Sequence, residues 1–303
     1  MTLPPATVVA AAGGLVPYRR LVAVTGRGRL RRAVADGQVV RLGRGRYALP
    51  GTDQALATAL TAGGCLSHVS AAQHHGWGVL RRWDATCITL RRGRHPTAAL
   101  PVRWSYAPLS AAETAAGVTD PVRTVLDCAR TLPFDQALAV ADSALRSGQV
   151  HRLELRHALE GCRSPGVARA RRVVGDADAR AANPFESGLR AIVLDTGLTG
   201  FVPQLVVTGP NLFAQVDLGD LSRRVAFEAD GYGVHGNRRA FAVDLARHDD
   251  LQTAGWVTRR FAVEHVYRRQ AWVARQVVAA AAQRLVTVTQ QHKARPGRAR
   301  RVG

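Results

Sequence analysis

The sequence predicts an α+β protein in which small sheets and helices occupy separate domains. In the carboxy-terminal third, residues 183–285 show the order helix, strand, strand, strand, helix, strand, helix, and the closing amphipathic helix covers 264–284. At the amino terminus, three short helical patterns precede two strands joined by a basic glycine turn. The intervening residues 52–162 are typical of a mixed α/β region with alanine-rich helices.

The amino-terminal region, residues 1–51, is predicted to contain three helices followed by a hairpin. The three helices are expected over 5–12, 17–24 and 27–36. After Gly37 the pattern changes to the alternation of strands over 39–49, with glycines at the turn. Three helices followed by a basic hairpin describe a winged helix-turn-helix, which binds DNA through its last helix and its hairpin.

Arginine dominates the charge of this region, because residues 1–50 contain nine arginines against the single acid Asp36. Guanidinium groups bind phosphate oxygens bidentately, so we expect a nucleic-acid contact here. The alternative is a solvated arginine-rich face without a ligand. The candidate DNA-binding residues are Arg27, Arg29, Arg31 and Arg32 on the third helix and Arg44 and Arg46 on the hairpin.

The carboxy-terminal region places three carboxylates at the ends of two adjacent strands. Glu228 and Asp230 are two residues apart on one strand, so they share a face. The short polar turn 219–223 makes a hairpin that brings Asp217 beside Glu228. Like charges repel unless a cation neutralises them, and carboxylate oxygens suit Mg²⁺ or Mn²⁺. Asp217, Glu228 and Asp230 are therefore predicted metal ligands; the alternative is a solvated hairpin.

The helix that precedes these strands begins with strong start signals. Asn183 fits the N-cap, Pro184 the first helical position and Glu186 the third. Glu186 is a candidate catalytic residue. Its alternative is a capping box, in which the carboxylate accepts a hydrogen bond from the Asn183 amide.

Further candidates follow the strands. The glycine-rich loop 231–237 contains His235, a candidate acid–base group or an ordinary polar loop residue. Asp244 and Arg247 are three residues apart and therefore neighbours on the next helix. Arg247 and Arg260 are candidate DNA contacts. The alternatives are a surface ion pair for Arg247 and side-chain packing for Arg260.

With these residues in place, about a third of the chain resembles the Vsr-like nucleases, a branch of the PD-(D/E)XK endonuclease superfamily. The resemblance implies a restriction-endonuclease-like mixed sheet of four strands flanked by helices. It also implies Asp217 and Glu228 as metal ligands, Glu186 completing or orienting the site, and His235 assisting proton transfer or binding phosphate. The ordered set that carries it is Pro184, Phe185, Glu186, Gln204, Val216, Asp217, Glu228, Asp230, Gly231, His235, Asp244, Arg247, Gly255, Trp256, Arg260 and Phe261.

One position departs from the superfamily pattern. The usual lysine would fall at position 230, where this chain has Asp230, and its only lysine is Lys293. The resembling branch itself favours Glu-x-Asp-Gly. Stabilisation of the transition state must then come from His235, Arg260 or the metal, or be missing.

The amino-terminal region resembles that of AbiEi-type antitoxins, through the ending Gly-x-Tyr-Ala-Leu-Pro-Gly at 45–51 and the segment 120–127. This resemblance implies a DNA-binding module of a toxin–antitoxin system. The predicted domains are a winged helix at 1–51, a connector or sensor at 52–162, a basic linker at 163–182, the nuclease domain at 183–285 and a disordered basic tail at 286–303.

Global composition favours a large protein with a polyanionic partner. The net charge is +20, and 47% of residues are hydrophobic, which is ample for buried cores. Four dispersed cysteines without a secretory signal predict reduced thiols in the cytoplasm. No apolar run approaches the roughly 20 residues that span a membrane.

The sequence therefore predicts a Mg²⁺- or Mn²⁺-dependent DNA endonuclease whose catalytic residues are Asp217, Glu228, Asp230, Glu186 and His235. Nicking is the simpler outcome, since one site would need a homodimer or two visits to cut both strands. The rival is a non-catalytic DNA-binding regulator of antitoxin type with a degenerate nuclease fold. RNA is an alternative substrate, because a basic cleft does not distinguish the two polymers.

Overall fold

A computed structural model of the chain describes residues 3–12, 15–42, 45–51, 53–94, 101–210, 212–231 and 238–293. Across these ranges the protein is α+β, as predicted, with 14 helices and three small sheets. None of the helices in this part of the chain is long and apolar enough to cross a membrane. The chain divides into two compact units, one of Met1–Thr131 with Val150–Ala170 and one of Leu132–Gln149 with Arg171–Gly303.

The two sheets of the first unit and the sheet of the second are separated in sequence by a run of helices over 111–195. The helices are α1 (Pro5–Ala11), α2 (Tyr18–Thr25), α3 (Arg27–Ala35), α4 (Gln54–Ala62), α5 (His68–His74), α6 (Ala111–Ala116), α7 (Pro121–Thr131), α8 (Phe134–Arg146), α9 (Arg152–Leu159), α10 (Val167–Asp176), α11 (Pro184–Asp195), α12 (Arg238–Thr253), α13 (Val263–Arg268) and α14 (Gln270–Lys293). The strands are β1 (Leu15–Pro17), β2 (Val40–Leu42), β3 (Arg46–Ala48), β4 (Cys65–Leu66), β5 (Thr86–Leu90), β6 (Val102–Tyr106), β7 (Val202–Gly209), β8 (Leu212–Asp220), β9 (Val225–Asp230) and β10 (Val257–Ala262).

The first unit begins with α1 to α3 packed on a small antiparallel sheet of order β1-β3-β2. Its core contains Val9, Val16, Leu21, Leu30 and Tyr47. The three helices and the two hairpin strands lie where the sequence predicted them, whereas β1 was not predicted. A second sheet, of order β4-β5-β6, follows in the same unit.

The second unit is built on a four-stranded mixed sheet of order β10-β9-β8-β7. The β7–β8 and β8–β9 pairs are antiparallel, and β10 runs parallel to β9 because α12 carries the chain across between them. One face packs Phe227 and Phe261 against Leu189 of α11 and Val273 of α14. The other face packs Ala226 against Leu251 of α12. The element order matches the prediction from α11 to β10, and two helices follow where one was predicted. Membership of the endonuclease fold stays a prediction.

Helix α8 belongs to this second unit, although the sequence analysis assigned its residues to the connector 52–162. It packs along α11, and its buried side chains include Leu138, Val140 and Ala144. The hydrophobic pattern of α8 predicts that these residues form a helix. It does not indicate that the helix packs on α11, which lies far away in sequence.

The predicted closing helix over 264–284 is wrong in one respect, because the chain forms two helices there. Arg269 leaves the helical region, with φ −129° and ψ 37°. Its carbonyl accepts hydrogen bonds from Trp272 N and Val273 N, so α14 starts there as a new helix.

Candidate functional site

Four polar side chains lie at one level across the strands of the β7–β10 sheet. The β9–β10 register sets Arg260 directly opposite Glu228. The registers of the other two ladders bring Gln204 of β7 and Asp217 of β8 to the same level. The sheet therefore gathers residues from four strands that are up to 56 positions apart in sequence.

The sheet is irregular at this level. Val216 packs in the core layer that includes α12, whereas Leu218 packs in the layer that includes α11 and α14. Strand β8 thus reverses the face to which it gives its apolar side chains at Asp217. On the neighbouring strand Gln204 has φ +51°, a left-handed conformation that is costly for a residue with a side chain. Such irregularities turn a side chain away from the regular sheet face.

Asp217 bonds directly to the next strand. The regular β8–β9 pairing ends with Leu218 opposite Phe227, and beyond it Ala229 N donates to Asp217 Oδ2 at 2.8 Å. In the part of the chain that the structure describes, Asp217 Oδ1 has a single donor, Gln204 Nε2, at 3.3 Å. The carboxylate is therefore held in place through Oδ2, and Oδ1 is the oxygen that it can offer to a ligand.

The Gln204 amide links two carboxylates. Its Nε2 donates to Glu186 Oε2 at 2.8 Å and to Asp217 Oδ1 at 3.3 Å. Gln215 Nε2 donates to Gln204 Oε1 at 2.7 Å, which fixes the orientation of the amide. Sequence reasoning included Gln204 only through the family resemblance and missed Gln215. Their bridging role depends on the sheet register, for which the local sequence carries no signal.

Glu186 is held by the start of α11. Asn183 caps the helix as predicted, since its Oδ1 accepts from Phe185 N and Glu186 N, and Pro184 is the first helical residue. The capping-box hydrogen bond, from the backbone N–H of Asn183 to the Glu186 carboxylate, is not the one formed. Glu186 Oε1 accepts instead from Asn183 Nδ2 at 2.6 Å, and Oε2 reaches one residue further, to Ala182 N at 2.8 Å.

Arg247 of α12 connects the helix to the strands. Its Nη2 lies 3.1 Å from both carboxylate oxygens of Glu228 and 2.8 Å from Asp244 Oδ1. Its Nη1 donates to the Gln215 carbonyl at 2.6 Å. The predicted Asp244–Arg247 neighbours therefore form an ion pair, and this pair is part of a larger network rather than an isolated surface contact.

Arg260 holds Asp230 by two parallel hydrogen bonds. The Arg260 Nε and Nη2 donate to the two Asp230 oxygens at 2.7 and 2.8 Å. Its Nη2 also lies 2.7 Å from Asp244 Oδ2, and its Nε lies 3.8 Å from Glu228. Asp230, a predicted metal ligand, is thus already paired with a cation of the protein. Arg260 and Arg247, both predicted DNA contacts, are both engaged by carboxylates.

The three carboxyl groups at the centre of the site have perturbed acidities. Burial raises the pKa of Glu186, Asp217 and Glu228, and the negative charge of Asp217 adds to the shift of both glutamates. The Arg247 guanidinium opposes the shift at Glu228. Glu228 is 4% exposed and Glu186 8%, so solvent screens this repulsion little.

The donor set fits a small divalent cation through two ligands. Asp217 and Glu228 offer carboxylate oxygens from adjacent strands, and Mg²⁺ is commonly bound by one or two carboxylates together with water and phosphate oxygens. In the described ranges, no cluster of three or more histidine, cysteine or acidic side chains has the arrangement of a metal site. Candidate ligation therefore rests on Asp217 and Glu228. His235 lies outside the residues that the structure describes.

The predicted amino-terminal DNA contacts fall into two groups. Arg27, Arg29, Arg31 and Arg32 are all exposed on α3. Arg46 is partly buried, and its Nη2 donates to the Thr114 carbonyl at 3.1 Å. Arg44 lies outside the described residues.

No family model matches the chain. Over 155 residues it is 32% identical to the uncharacterized proteins Rv2248 and MT2308 of two strains of Mycobacterium tuberculosis, a match covering 50% of this chain and 56% of each relative. The chain thus spans about half the length of the curated relatives it matches. The crystal structure of RV2827C protein from Mycobacterium tuberculosis aligns with 68% of this chain and 88% of that chain at 19% identity. The TM-score of this alignment is 0.32, which is too low to indicate a shared fold.

Proposed function

We propose that the protein is a metal-dependent DNA endonuclease that hydrolyses phosphodiester bonds at the Asp217–Glu228 site and nicks one strand. The observation that supports this proposal is the meeting of two carboxyl groups from adjacent strands, both with a raised pKa, one of them tied through Gln204 to Glu186. Repelling carboxylates in a shielded site favour a cation, and hard oxygen ligands favour Mg²⁺ or Mn²⁺.

Asp217 and Glu228 would hold the cation. When bound, a Mg²⁺ or Mn²⁺ ion neutralises phosphate charge and makes a coordinated water more acidic. Asp217 is suited to ligation because Ala229 N fixes Oδ2, while among the described residues Oδ1 accepts only the long bond from Gln204. Glu186 is a positioning residue in this proposal, since its oxygens already accept from Ala182, Asn183 and Gln204.

Arg247 and Arg260 would supply the positive charge that a lysine provides in the wider superfamily. Both guanidinium groups lie within 4 Å of the Glu228 carboxylate. Their forks can hold the oxygens of a scissile phosphate by exchanging contacts with Asp244, which both arginines share. Such fixed charges stabilise the additional negative charge that develops as the phosphodiester is attacked.

DNA targeting is assigned in this proposal to the amino-terminal helices and hairpin, acting as a winged helix-turn-helix. Four exposed arginines on α3 and a net charge of +20 support a polyanionic partner. RNA is the alternative polymer, since phosphate contacts do not distinguish the two.

The second candidate is a non-catalytic DNA-binding regulator of antitoxin type. The observation that favours it is the internal neutralisation of the site. Arg260 binds both Asp230 oxygens, and Arg247 lies 3.1 Å from both oxygens of Glu228. Charges that are paired within the protein have less need of a metal ion.

Plasmid nicking separates the two candidates. Purified protein is incubated with supercoiled plasmid in Mg²⁺ or Mn²⁺, beside Asp217→Asn, Glu228→Gln and an EDTA control. Asp195→Asn is the matched control, because Asp195 is an exposed carboxylate that pairs with Arg172 at the far end of α11.

The nuclease proposal requires nicking by wild type and Asp195→Asn and none by the two site variants. Thermal unfolding of each variant establishes that the fold is retained. If none of the proteins cuts duplex, mismatched or single-stranded DNA while all shift DNA equally on a gel, the regulator takes its place. A parallel reaction with RNA tests the alternative substrate.

A further inference from the structure

A cavity of about 550 Å³ lies in the first unit between α3 and the β2–β3 hairpin. Arg27 and Arg31 line it from α3, Arg41 from β2 and Tyr47 from β3, and Tyr18 at the start of α2 completes the wall. Its volume is within the range of about 300–1,000 Å³ that is typical of small-molecule sites.

The charged part of the lining is entirely positive. Arg27, Arg31 and Arg41 line the cavity, and none of the described residues that line it is acidic. Within the described part of the chain, none of the three forms an ion pair. Three arginines that line one space can offer guanidinium groups to an anion with several oxygens, such as a phosphate.

The aromatic part of the lining adds a flat surface. The rings of Tyr18 and Tyr47 have centroids 6.0 Å apart and are tilted by 33°. Tyr47 is 7% exposed and packs into the core of the unit, whereas Tyr18 is 36% exposed. An exposed ring backed by a fixed one is suited to stacking against a planar base.

We propose that this cavity binds an unpaired nucleotide, with its phosphate held by Arg27, Arg31 and Arg41 and its base stacked on Tyr18. The combination of clustered guanidinium groups and tyrosine rings matches the two parts of a nucleotide. The ligand is either a free nucleotide or an unpaired nucleotide within a single strand. This inference rests on the assignment of nucleic-acid targeting to the amino-terminal helices and hairpin, but it requires no cleavage at Asp217.

Two arginines on α2 provide a matched control. Arg27 and Arg31 are four residues apart and therefore share the face of α3 that lines the cavity. Arg19 and Arg20 are also exposed, but they do not line the cavity. A double substitution of either pair removes the same charge, so a difference between the two reports the cavity and not the overall electrostatic attraction.

The test measures binding of a fluorescein-labelled single-stranded oligothymidylate to the full chain by anisotropy at physiological ionic strength. Arg27→Gln with Arg31→Gln should weaken binding by about tenfold or more, as expected for lost charge-assisted hydrogen bonds. Arg19→Gln with Arg20→Gln should weaken it by about threefold or less. Equal losses in the two pairs would overturn the proposal.

The stacking contact is tested at Tyr18, which lies outside the apolar core. Tyr18→Ala should weaken binding by about fivefold or more, whereas Tyr18→Phe, which keeps the ring, should remain within about twofold of wild type. If Tyr18→Ala and Tyr18→Phe weaken binding equally, stacking of the base on Tyr18 does not contribute to binding.

Competition identifies the source of the ligand. If thymidine monophosphate displaces the labelled oligonucleotide, the cavity binds nucleotides in general. If only unlabelled single strands displace it, the cavity binds unpaired nucleotides within a strand. Inorganic phosphate that competes as well as the single strand would contradict recognition of a nucleotide. Matched duplex that competes as well would overturn recognition of an unpaired nucleotide and leave only the duplex contacts assigned to the winged helix.

Discussion

Asp142 of α8 and Arg190 of α11 form a buried ion pair. Arg190 Nη2 lies 2.8 Å from both Asp142 oxygens, and its Nη1 donates to the Asp176 carbonyl at 2.6 Å. Asp178 N adds a hydrogen bond to Asp142 Oδ1 at 2.7 Å. Because α11 carries both Arg190 and Glu186, this pair fixes the helix that presents Glu186 to Gln204.

Replacing Asp142 by alanine should destabilise the protein by about 3–5 kcal/mol, because it leaves the Arg190 charge buried without a partner. The urea unfolding midpoint measures the loss. Asp195→Ala is the control, since it removes an exposed ion pair with Arg172 that contributes about 1 kcal/mol or less. Similar losses in the two variants would mean that the Asp142–Arg190 pair is not buried as described.

Asp220 at the end of β8 is a buried carboxylate that favours its charged form. Burial alone would raise its pKa, but hydrogen bonds from Ser222 Oγ and Arg223 N, together with the Arg223 guanidinium, outweigh burial and hold the pKa below its ordinary value. A lowered pKa in the folded state stabilises the fold at neutral pH. That stabilisation is lost as the pH falls through the folded-state pKa.

Asp220→Asn should therefore cost about 1–3 kcal/mol at pH 7, the usual range for hydrogen bonds to a charged group. The difference from wild type should narrow once the pH falls below about 4, the ordinary carboxyl pKa, and approach zero when Asp220 is protonated. Urea unfolding of both proteins at a series of pH values measures this difference in the free energy of unfolding. A difference that stays constant from pH 7 into the acid range would show that ionisation of Asp220 contributes nothing.

At the scale of elements, strand β7 contains the strained residue that bridges the site. Gln204 has φ +51°, a conformation that glycine adopts freely and alanine does not. Gln204→Gly and Gln204→Ala both remove the amide that links Glu186 to Asp217, so we expect both to lose nicking activity. The glycine variant should be more stable than the alanine variant by about 1 kcal/mol, measured by thermal unfolding.

Equal stability of these two variants would mean that the backbone at position 204 is not strained. Gln204→Glu provides a further readout. It keeps the length of the side chain but places a third carboxylate beside Glu186 and Asp217. It should therefore be less stable than Gln204→Ala, because three like charges then lie close together in a half-buried site.

Local patterns were enough to predict the order of elements in the sheet region. Alternation over Val225–Asp230, the cap at Asn183 and the three-residue spacing of Asp244 and Arg247 each depend on neighbours in sequence. The Arg260–Asp230 pair was not predicted, because it requires β10 to lie parallel to β9 after a helical crossover. A sequence pattern specifies each strand but not which strand lies beside it.

The candidate site shows the same division. Asp217 and Glu228 could be predicted as neighbours because a short turn joins their strands. The bridge made by Gln204 could not, since it depends on a reversal of β8 and a left-handed residue on β7. Such irregularities have no composition signal of their own.

At the scale of the whole molecule, the second unit is assembled from two separated segments of the chain. Leu132–Gln149 contributes α8, and Arg171–Gly303 contributes the sheet with its remaining helices. A fragment that begins at residue 183, the domain boundary expected from the sequence, lacks α8 and leaves Arg190 without Asp142.

We expect the fragment 183–303 to remain unfolded or aggregate, and a fragment 132–303 to give a cooperative thermal transition by circular dichroism. The shorter fragment exposes the face of α11 on which α8 packs and an unpaired buried charge. The outcome that contradicts this expectation is a cooperative transition of 183–303 at the same temperature as 132–303.

The separation of α8 from α11 also sets the order in which the protein can fold during synthesis. Helix α8 is complete at Arg146, and its partner α11 begins at Pro184, about forty residues later. At translation rates of about 5–20 residues per second, the apolar face of α8 lacks its partner α11 for several seconds after it leaves the ribosome. During that interval Asp142 has no Arg190, so the nascent chain presents an amphipathic helix that a chaperone can hold until the rest of the unit arrives.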